Sequence, residues 1–581
     1  MPINPGDPGP TIWANWVDTA LAGTSNADNL LTGTVNARLS RARHAPAFGL
    51  FFPEAEGCAA DGITDDTVNA QAAILAAAGA TLHIQQGTTL LLNGPLAVLA
   101  NTKITGGGTL KFKANTTAFA LIAATAQDKV TVEGITFDGN VANQTWNQSR
   151  HCLQVVGGTN VTISGCVFKN IIGDGIYVTT SGGVSPSNID IDGNAFIGAN
   201  TNRNGITVIS ALDSKIRGNY LYKMGRDDMP GAIDLEPNAT TDTISNVVIS
   251  GNVIIGGGTP GTQHAVSVNN PAGSTCTNIV IANNAIRDVF KYAISVFGNG
   301  ADKTKTQVAI SDNTLDVQVS LAGSAAIIAS SWCEVNISDN TINSTADIGI
   351  KSVGSSFKIS GNKIKNCVVY GIELNGGANE SGSINGNRIE DCGSTVTASY
   401  GGIHIKASYI DIEGNKISSS ATTKTQTGLY VESGVKNFIH ANVFTGLLGV
   451  RSLSVATAPQ VFGRNVYAAG FNSISGTYPP ATETWLEGDV IEKPRIVAAG
   501  TVARWVCITA GTPGTWRAEY TGTPTSTTAA LAAIGDAVNT TDKYAGKMYF
   551  NTTTNRAVYT SGGAAATVWA YADGTTAHTP V

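Results

Sequence analysis

Between Val130 and Tyr467 the chain repeats one phrase: an aliphatic residue, a variable residue, Gly or Asp, Asn, a variable residue and an aliphatic. It reads Ile191-Asp192-Gly193-Asn194-Ala195-Phe196, then Ile216-Arg217-Gly218-Asn219-Tyr220-Leu221, and it returns around Asn252, Asn284, Asn313, Asn340, Asn362, Asn387, Asn415 and Asn442. Successive Asn residues are 25, 33, 32, 29, 27, 22, 25, 28 and 27 positions apart. Short strands recurring at that period cannot bury an apolar face alone, and they imply a solenoid with one coil per repeat. The aliphatic residues alternate with polar ones, so one strand face is buried and the other is wet. Gly or Asp before Asn ends the strand, because these residues tolerate left-handed backbone that a β-branched residue does not. Stacked coils place each Asn above the last at about 4.8 Å, where its amide can donate to one coil and accept from the other.

A second phrase lies between the Asn turns, as in Gly175-Ile176-Tyr177-Val178-Thr179, Gly205-Ile206-Thr207-Val208-Ile209 and Ala232-Ile233-Asp234-Leu235-Glu236. Its second and fourth members are mostly aliphatic and point inward, so the third and fifth point out of the same sheet. One outward column then runs Tyr177, Thr207, Asp234, Ser267, Ser295, Ile328, Lys351, Glu373, His404, Tyr430. Its neighbour runs Thr179, Ile209, Glu236, Asn269, Phe297, Ser330, Val353, Asn375, Lys406, Glu432. The expected fold class is all-β: a right-handed, single-stranded parallel β-helix with an N-terminal capping helix and small C-terminal β modules.

A solenoid also explains how 581 residues avoid dividing into several globular domains. A net charge of −6 without a basic run disfavours nucleic acid as a partner. No apolar run has membrane-spanning length, so membrane insertion is not expected. The opening residues, Met1 to Asp7, lack the charged and apolar regions of a secretory signal. Eight dispersed cysteines do not make a disulfide framework; Cys367 and Cys392, each five residues after a repeat Asn, read as a buried thiol ladder. Residues 1–45 read as an adaptor segment and 46–475 as the β-helix with its cap. In the cap, Thr64 is expected as N-cap of an Ala-rich helix that ends near Gly79. Residues 476–520 read as a small β module, and 521–581 as a linker, a short helix and a β-hairpin module.

Three features resemble phage tailspikes and related pectate-lyase-like right-handed parallel β-helix proteins. They are the cap phrase Ala60-Asp61-Gly62-Ile63-Thr64-Asp65-Asp66-Thr67, the Ile-Ser-Gly-Asn-type repeat, and the module from Trp505 to Trp516. The resemblance covers roughly residues 51–516. It implies a homotrimer in a phage tail, attached through its N-terminus to a tail or baseplate protein, that binds and hydrolyses a bacterial surface polysaccharide. β-Helices host hydrolases, lyases and pure binders alike, so the activity has to be argued from the site.

The two longest Asn-to-Asn steps are adjacent, ending at Asn252 and Asn284, and their extra residues form neighbouring loops. On the first of these coils Asp234 and Glu236 stand at i and i+2, both outward, with backbones about 6.7 Å apart. Carboxyl groups on that scale suit glycoside hydrolysis, one as acid and one as base or nucleophile, and Asp228 and Asp174 are further candidates. An equal reading makes them solvated or loop-anchoring carboxylates. The phrase Ile-Asp-Leu-Glu-Pro-Asn around them is also similar to one in tailspike-like β-helices. Arg203, Asn204, Arg226, His264 and Asn269 are the nearby candidates for substrate binding, the arginines for an acidic sugar. Asp174, Asn204 and His264 fall close to one column. Further along, Lys351, Glu373, His404, Lys406, Tyr430 and Glu432 form an alternative site suited to β-elimination on a uronic acid. Alternating charges on adjacent strands are equally the ordinary way to stabilise an exposed ladder, and here that reading leads. No metal spacing, phosphate loop or nucleophile elbow is present, so no metal or cofactor is expected.

Overall fold

The computed structural model describes residues 49–198, 202–226, 231–256, 264–270, 274–289, 291–298, 300, 302–317, 323–344, 347–376, 381–393, 401–420, 425, 427–434, 436–446, 451–455, 461–462, 490–492, 502–509, 511, 515–520, 525–540, 543 and 547–581. These form two compact units, divided at Asn336 and Ile337 apart from a short exchange that gives Ser344–Ala346 to the first. Each coil contributes one strand to each of three parallel sheets, and the protein is a right-handed parallel β-helix. Sheet A holds the strands that lead into the Asn turn, such as Ala211–Arg217 and Thr243–Ser250. Sheet B holds the short strands after it, Tyr220–Tyr222 and Val253–Ile255. Sheet C holds the second phrase, Ile206–Val208 and Gly231–Leu235.

The turn between sheets A and B has the predicted cause. The residue before each Asn is left-handed, with φ of 64° at Gly218, 65° at Gly251 and 57° at both Asn283 and Asp312. The Asn side chains then form a buried ladder. In the first unit Oδ1 of Asn252 accepts from both the backbone N (3.0 Å) and Nδ2 (3.0 Å) of Asn219. Nδ2 of Asn252 donates to Asn284 Oδ1 (2.9 Å) and to Ile216 O (3.0 Å). Asn284 repeats this against Asn313. In the second unit Asn340, Asn362, Asn387, Asn415 and Asn442 make the same bonds. Inward aliphatics fill the coils of each unit. The first unit adds a stack of Phe137, Phe168 and Phe196, with centroids 4.7 and 4.6 Å apart and rings within 5° of parallel.

The cap helix spans Thr67–Ala76 and packs Ala70, Ala73 and Ile74 inward. Thr64 is not its N-cap, contrary to the sequence expectation. Thr64 lies in the strand Asp61–Asp65, its N–H on Asp61 Oδ1 (2.7 Å), and Asp66 occupies the cap position. The Gln71 amide accepts from Ala97 N–H (2.8 Å) and donates to Ala97 O (3.0 Å), which covers the open edge of the first sheet C strand.

Residues 1–45 lie outside the described residues, as does most of 476–520. At the C-terminus, helices Thr528–Ala532 and Ala537–Thr540 pack with antiparallel strands from Met548–Asn551 to Thr576–His578, around Leu531, Tyr549, Val558 and Trp569. The sheet has five strands, four antiparallel and Thr525–Ser526 parallel to Met548–Asn551 at its edge. Cys367 and Cys392 are free, buried and close enough to interact.

Two outcomes test this account. Asn252→Ala removes four side-chain hydrogen bonds and leaves buried partners unpaired, so it should cost about 3 kcal/mol. Hydrogen exchange should accelerate first at the amides of the flanking coils. Ala441 holds the left-handed position with φ 54°, where every sampled alternative is Gly, Asp or Asn. Ala441→Gly should therefore raise stability by about 0.5–1 kcal/mol in denaturant titration, despite the entropy of glycine.

Candidate functional site

Sheet C brings one group of candidates together in the first unit. The register aligns Gln154, Tyr177, Thr207, Asp234, Ser267, Ser295 and Ile328 in one column. A second column, at the entry to the same strands, carries His151, Asp174, Asn204, Gly231 and His264, as the backbone bonds Cys152 N to Asp174 O, Gly175 N to Asn204 O and the Gly231–His264 pairing require.

Arg203 lies across these columns. Its Nη1 donates to Asp174 Oδ2 at 3.0 Å and reaches Thr207 Oγ1 at 3.4 Å, while Nη2 donates to Glu236 Oε2 at 2.9 Å. One guanidinium thus joins three coils. Asp174 is fully buried, with Asn204 N–H on its Oδ1 (3.0 Å) and His151 Nδ1 3.2 Å from its Oδ2. Burial works to raise the Asp174 pKa, but His151, Arg203 and that N–H outweigh it and hold the carboxyl below its usual range. His151 stacks on Tyr177, centroids 4.3 Å apart and rings 6° from parallel.

Asp234 departs from expectation. Its side chain leaves the outer face of the strand, yet it is fully buried. Burial and the neighbouring Glu236 push its pKa well above the carboxylate range, Arg203 only partly opposing them. The Asn204 amide supports a protonated Asp234. Its best orientation puts nitrogen on Gly231 O (2.7 Å) and Arg203 O (3.1 Å), and oxygen on Thr207 Oγ1 (3.0 Å). The amide atom 3.4 Å from Asp234 Oδ2 is then also an acceptor, and two acceptors face each other there unless the acid carries a proton. Glu236 is the more open member, its side chain 23% exposed. The two carboxyl groups are near enough for the Glu236 charge to raise the Asp234 pKa, and Arg203 lies against Glu236.

The other candidates are placed elsewhere. His264 Nδ1 meets Ser295 Oγ at 2.7 Å, and its ring packs on Tyr292 and Phe297. Burial, with the Lys291 ammonium, pushes His264 down to about 3, so it stays neutral. Arg226 lies over the Trp146 ring, 4.2 Å from its centroid. Asn269 ends the strand His264–Asn269 opposite Phe297. Asp228 lies outside the described residues. Arg203 does not present a free fork to an acidic sugar, because both ends of the guanidinium are occupied within the protein. His151 and Tyr177 were missed as site members; extending the Asp174–Asn204 column back one coil would have found His151.

In the second unit the alternative candidates also meet. Lys351 Nζ lies 3.0 Å from Glu373 Oε2, outside hydrogen-bond angle, and His404 Nδ1 lies 3.6 Å from Glu373 Oε1. His404 Nε2 contacts Glu432 Oε2 at 2.9 Å, and Lys406 Nζ contacts Glu432 Oε1 at 3.2 Å. Tyr370 and Tyr430 flank the buried His404 ring at 4.4 and 5.3 Å. A bulge after Ile405 pairs Lys406 with Ser433 and breaks the predicted alignment of Lys406 with Glu432. Each carboxylate here has a cationic neighbour, and burial of Glu373 is outweighed by His404 and Lys351, so its pKa is lowered. Among the described residues one trio, Asp411, Glu413 and His440, offers ligand atoms within 4.8 Å of one another, and the contacts within it are His440 to each carboxylate.

A family model described as a right handed beta helix region matches residues 120–315. The family model and the three stacked parallel sheets agree on the fold, a right-handed β-helix. A search of curated proteins returned no match. Among solved structures it is similar to the pre-mature gene product 12 of bacteriophage phi29, at 13% identity over 81% of this chain and 80% of that one, TM-score 0.48. It is similar to a tailspike protein of E. coli bacteriophage HK620 solved with a pentasaccharide, at 12% identity over 78% and 84%, TM-score 0.48. A GH87 alpha-1,3-glucanase from Streptomyces thermodiastaticus is alike at 14% identity over 74% and 71%, TM-score 0.44. Likeness at this level concerns the fold.

Two measurements test the electrostatics. In the native state Asp234 keeps its proton to higher pH than in the unfolded chain, which releases it in the ordinary carboxylate range. Stability should therefore fall as pH rises from that range through the raised Asp234 pKa. Asp234→Asn, a neutral isostere, should fold and lose this slope in pH-dependent melting; a slope unchanged by the substitution contradicts a protonated Asp234. Glu373→Gln should destabilise by about 3 kcal/mol, because it strands Lys351 and His404 in a largely buried setting. Urea titration at neutral pH reads this cost.

Proposed function

We propose that the protein binds and hydrolyses a bacterial surface polysaccharide, with the Asp234–Glu236 pair as its proton-handling group. The observation that carries the reading is a fully buried Asp234 beside the more exposed Glu236, whose carboxylate is anchored by Arg203. A pair holding one proton suits hydrolysis. Water attacks the anomeric carbon, its proton passes to Glu236, and the pair, now holding two protons, returns one to the departing glycosidic oxygen. Bond making and breaking balance, and the pair ends as it began. Asp174 supports this arrangement through Arg203.

Assembly as a phage-tail homotrimer, attached through residues 1–45, follows from the sequence resemblance and belongs to the same proposal. Light scattering of the full chain checks the trimer: a monomer persisting at high concentration counts against it.

A second reading has its own support. Asp234 is fully buried and Arg203 bridges three coils, as expected of a clamp that only holds the coils together. Digestion of capsule and lipopolysaccharide glycans separates the two. Hydrolysis yields new reducing ends without the absorbance of an unsaturated uronate, whereas that absorbance indicates a lyase. Asp234→Asn and Glu236→Gln should each lower cleavage by orders of magnitude while remaining folded. Loss of folding in both supports the clamp, and full activity in both removes the pair from the mechanism.

A further inference from the structure

The Asp234–Glu236 pair is asymmetric in its surroundings. Glu236 receives a guanidinium at 2.9 Å, whereas Asp234 Oδ1 has no hydrogen-bond donor and its Oδ2 faces the Asn204 amide oxygen. The arginine responsible is itself fixed. Its other nitrogen is on Asp174, and Asp174 is pinned by the Asn204 N–H and by His151, whose ring rests on Tyr177. We infer that Arg203, braced by Asp174 and His151, is a positioning residue that keeps the single proton of the pair on Asp234 and leaves Glu236 as the open carboxylate. This rests on the hydrolase reading for its consequence in catalysis, but the placement of the proton is a property of the protein alone.

The charged and titratable groups facing the pair are Arg203, Asp174 and, behind it, His151; Tyr177 and Cys276 are also near. Burial raises both Tyr177 and Cys276, so neither supplies charge at neutral pH. A cation bonded to one carboxylate and not directly to the other favours the ionised form of the first, and a proton shared between them then stays on the second. A substrate anchor would behave differently. Its nitrogens would be open to the ligand, whereas Nη1 and Nη2 of Arg203 are both engaged internally and the side chain is only 15% exposed.

The test uses the full chain and the variants Arg203→Gln, Arg203→Lys and Asp174→Asn. Infrared difference spectra against Asp234→Asn read the protonated carboxyl stretch across pH without any substrate. The wild type should show one protonated carboxyl, absent from Asp234→Asn, that persists above the ordinary carboxylate range. In Arg203→Gln the pair loses its cation, so its titration should move upward by about one to three pH units and the proton should be divided between both carboxyls. Arg203→Lys keeps the charge without the fork and should shift less, in the same direction. Asp174→Asn frees one end of Arg203 and should shift least.

On a cleavable glycan, the acid limb of the pH–rate profile should follow the same order, with kcat falling and KM little changed. An unchanged carboxyl titration in a folded Arg203→Gln overturns the inference. So does a rise in KM with an unmoved pH profile, which marks a substrate anchor. If Arg203→Gln fails to fold, the Lys and Asn variants decide by the same readings. Absence of cleavage with the infrared order intact would reject the hydrolase reading and keep the proton placement.

Discussion

The side-chain amide of asparagine, repeated once per coil, is the interaction on which the rest depends. A parallel stack has no hairpin to set its register, and a slip of one residue would turn every inward aliphatic outward. The amide removes that freedom because it bonds to the backbone and to the amide of neighbouring coils at once, as at Asn219, Asn252 and Asn284. The left-handed residue before it turns the chain so that the amide points inward, where water does not compete. In each unit, therefore, one polar column defines the registers of the three sheets.

Register is what makes a site from residues far apart in the chain. His151, Asp174, Arg203, Asp234 and Glu236 come from four coils and meet because the sheet register stacks those coils strand on strand. The same stacking covers them. Side chains that leave the outer face of sheet C are not thereby in water, and Asp234 and Thr207 are fully buried. Burial makes an ionised carboxyl costly, and the protein meets that cost differently in its two polar networks. Around Glu373 and Glu432 it supplies Lys351, Lys406 and His404. Around Asp234 it supplies one arginine already shared by two other carboxylates, and the Asp234 pKa is raised. That difference in charge balance is what separates the two networks.

Much of this was readable in the chain. The Asn spacing, the Gly or Asp before it and the alternation of aliphatics are local features, and they specified a parallel β-helix with its columns in order. Alignment of Tyr177, Thr207 and Asp234, and of Lys351, Glu373, His404 and Tyr430, follows by matching the second phrase from coil to coil. Matching failed where a sequence pattern does not determine geometry. The bulge after Ile405 shifts Lys406 onto Ser433 while leaving its ammonium on Glu432. The cap helix begins at Thr67 rather than after Thr64, because Asp61 draws the Thr64 N–H into a turn.

By itself, then, the sequence determined the coil, the inward face and the order of residues along each outward column, since these depend on backbone turns and on a period of two. Only the tertiary structure decided that Asp234 is buried, that its partner is Glu236 rather than solvent, and that Arg203 is spent within the protein. The physical reason is that solvation and charge are set by everything within a few ångströms. The groups that settle them for Asp234 come from the two preceding coils, through Arg203 and Asp174, as well as from its own coil, through Glu236.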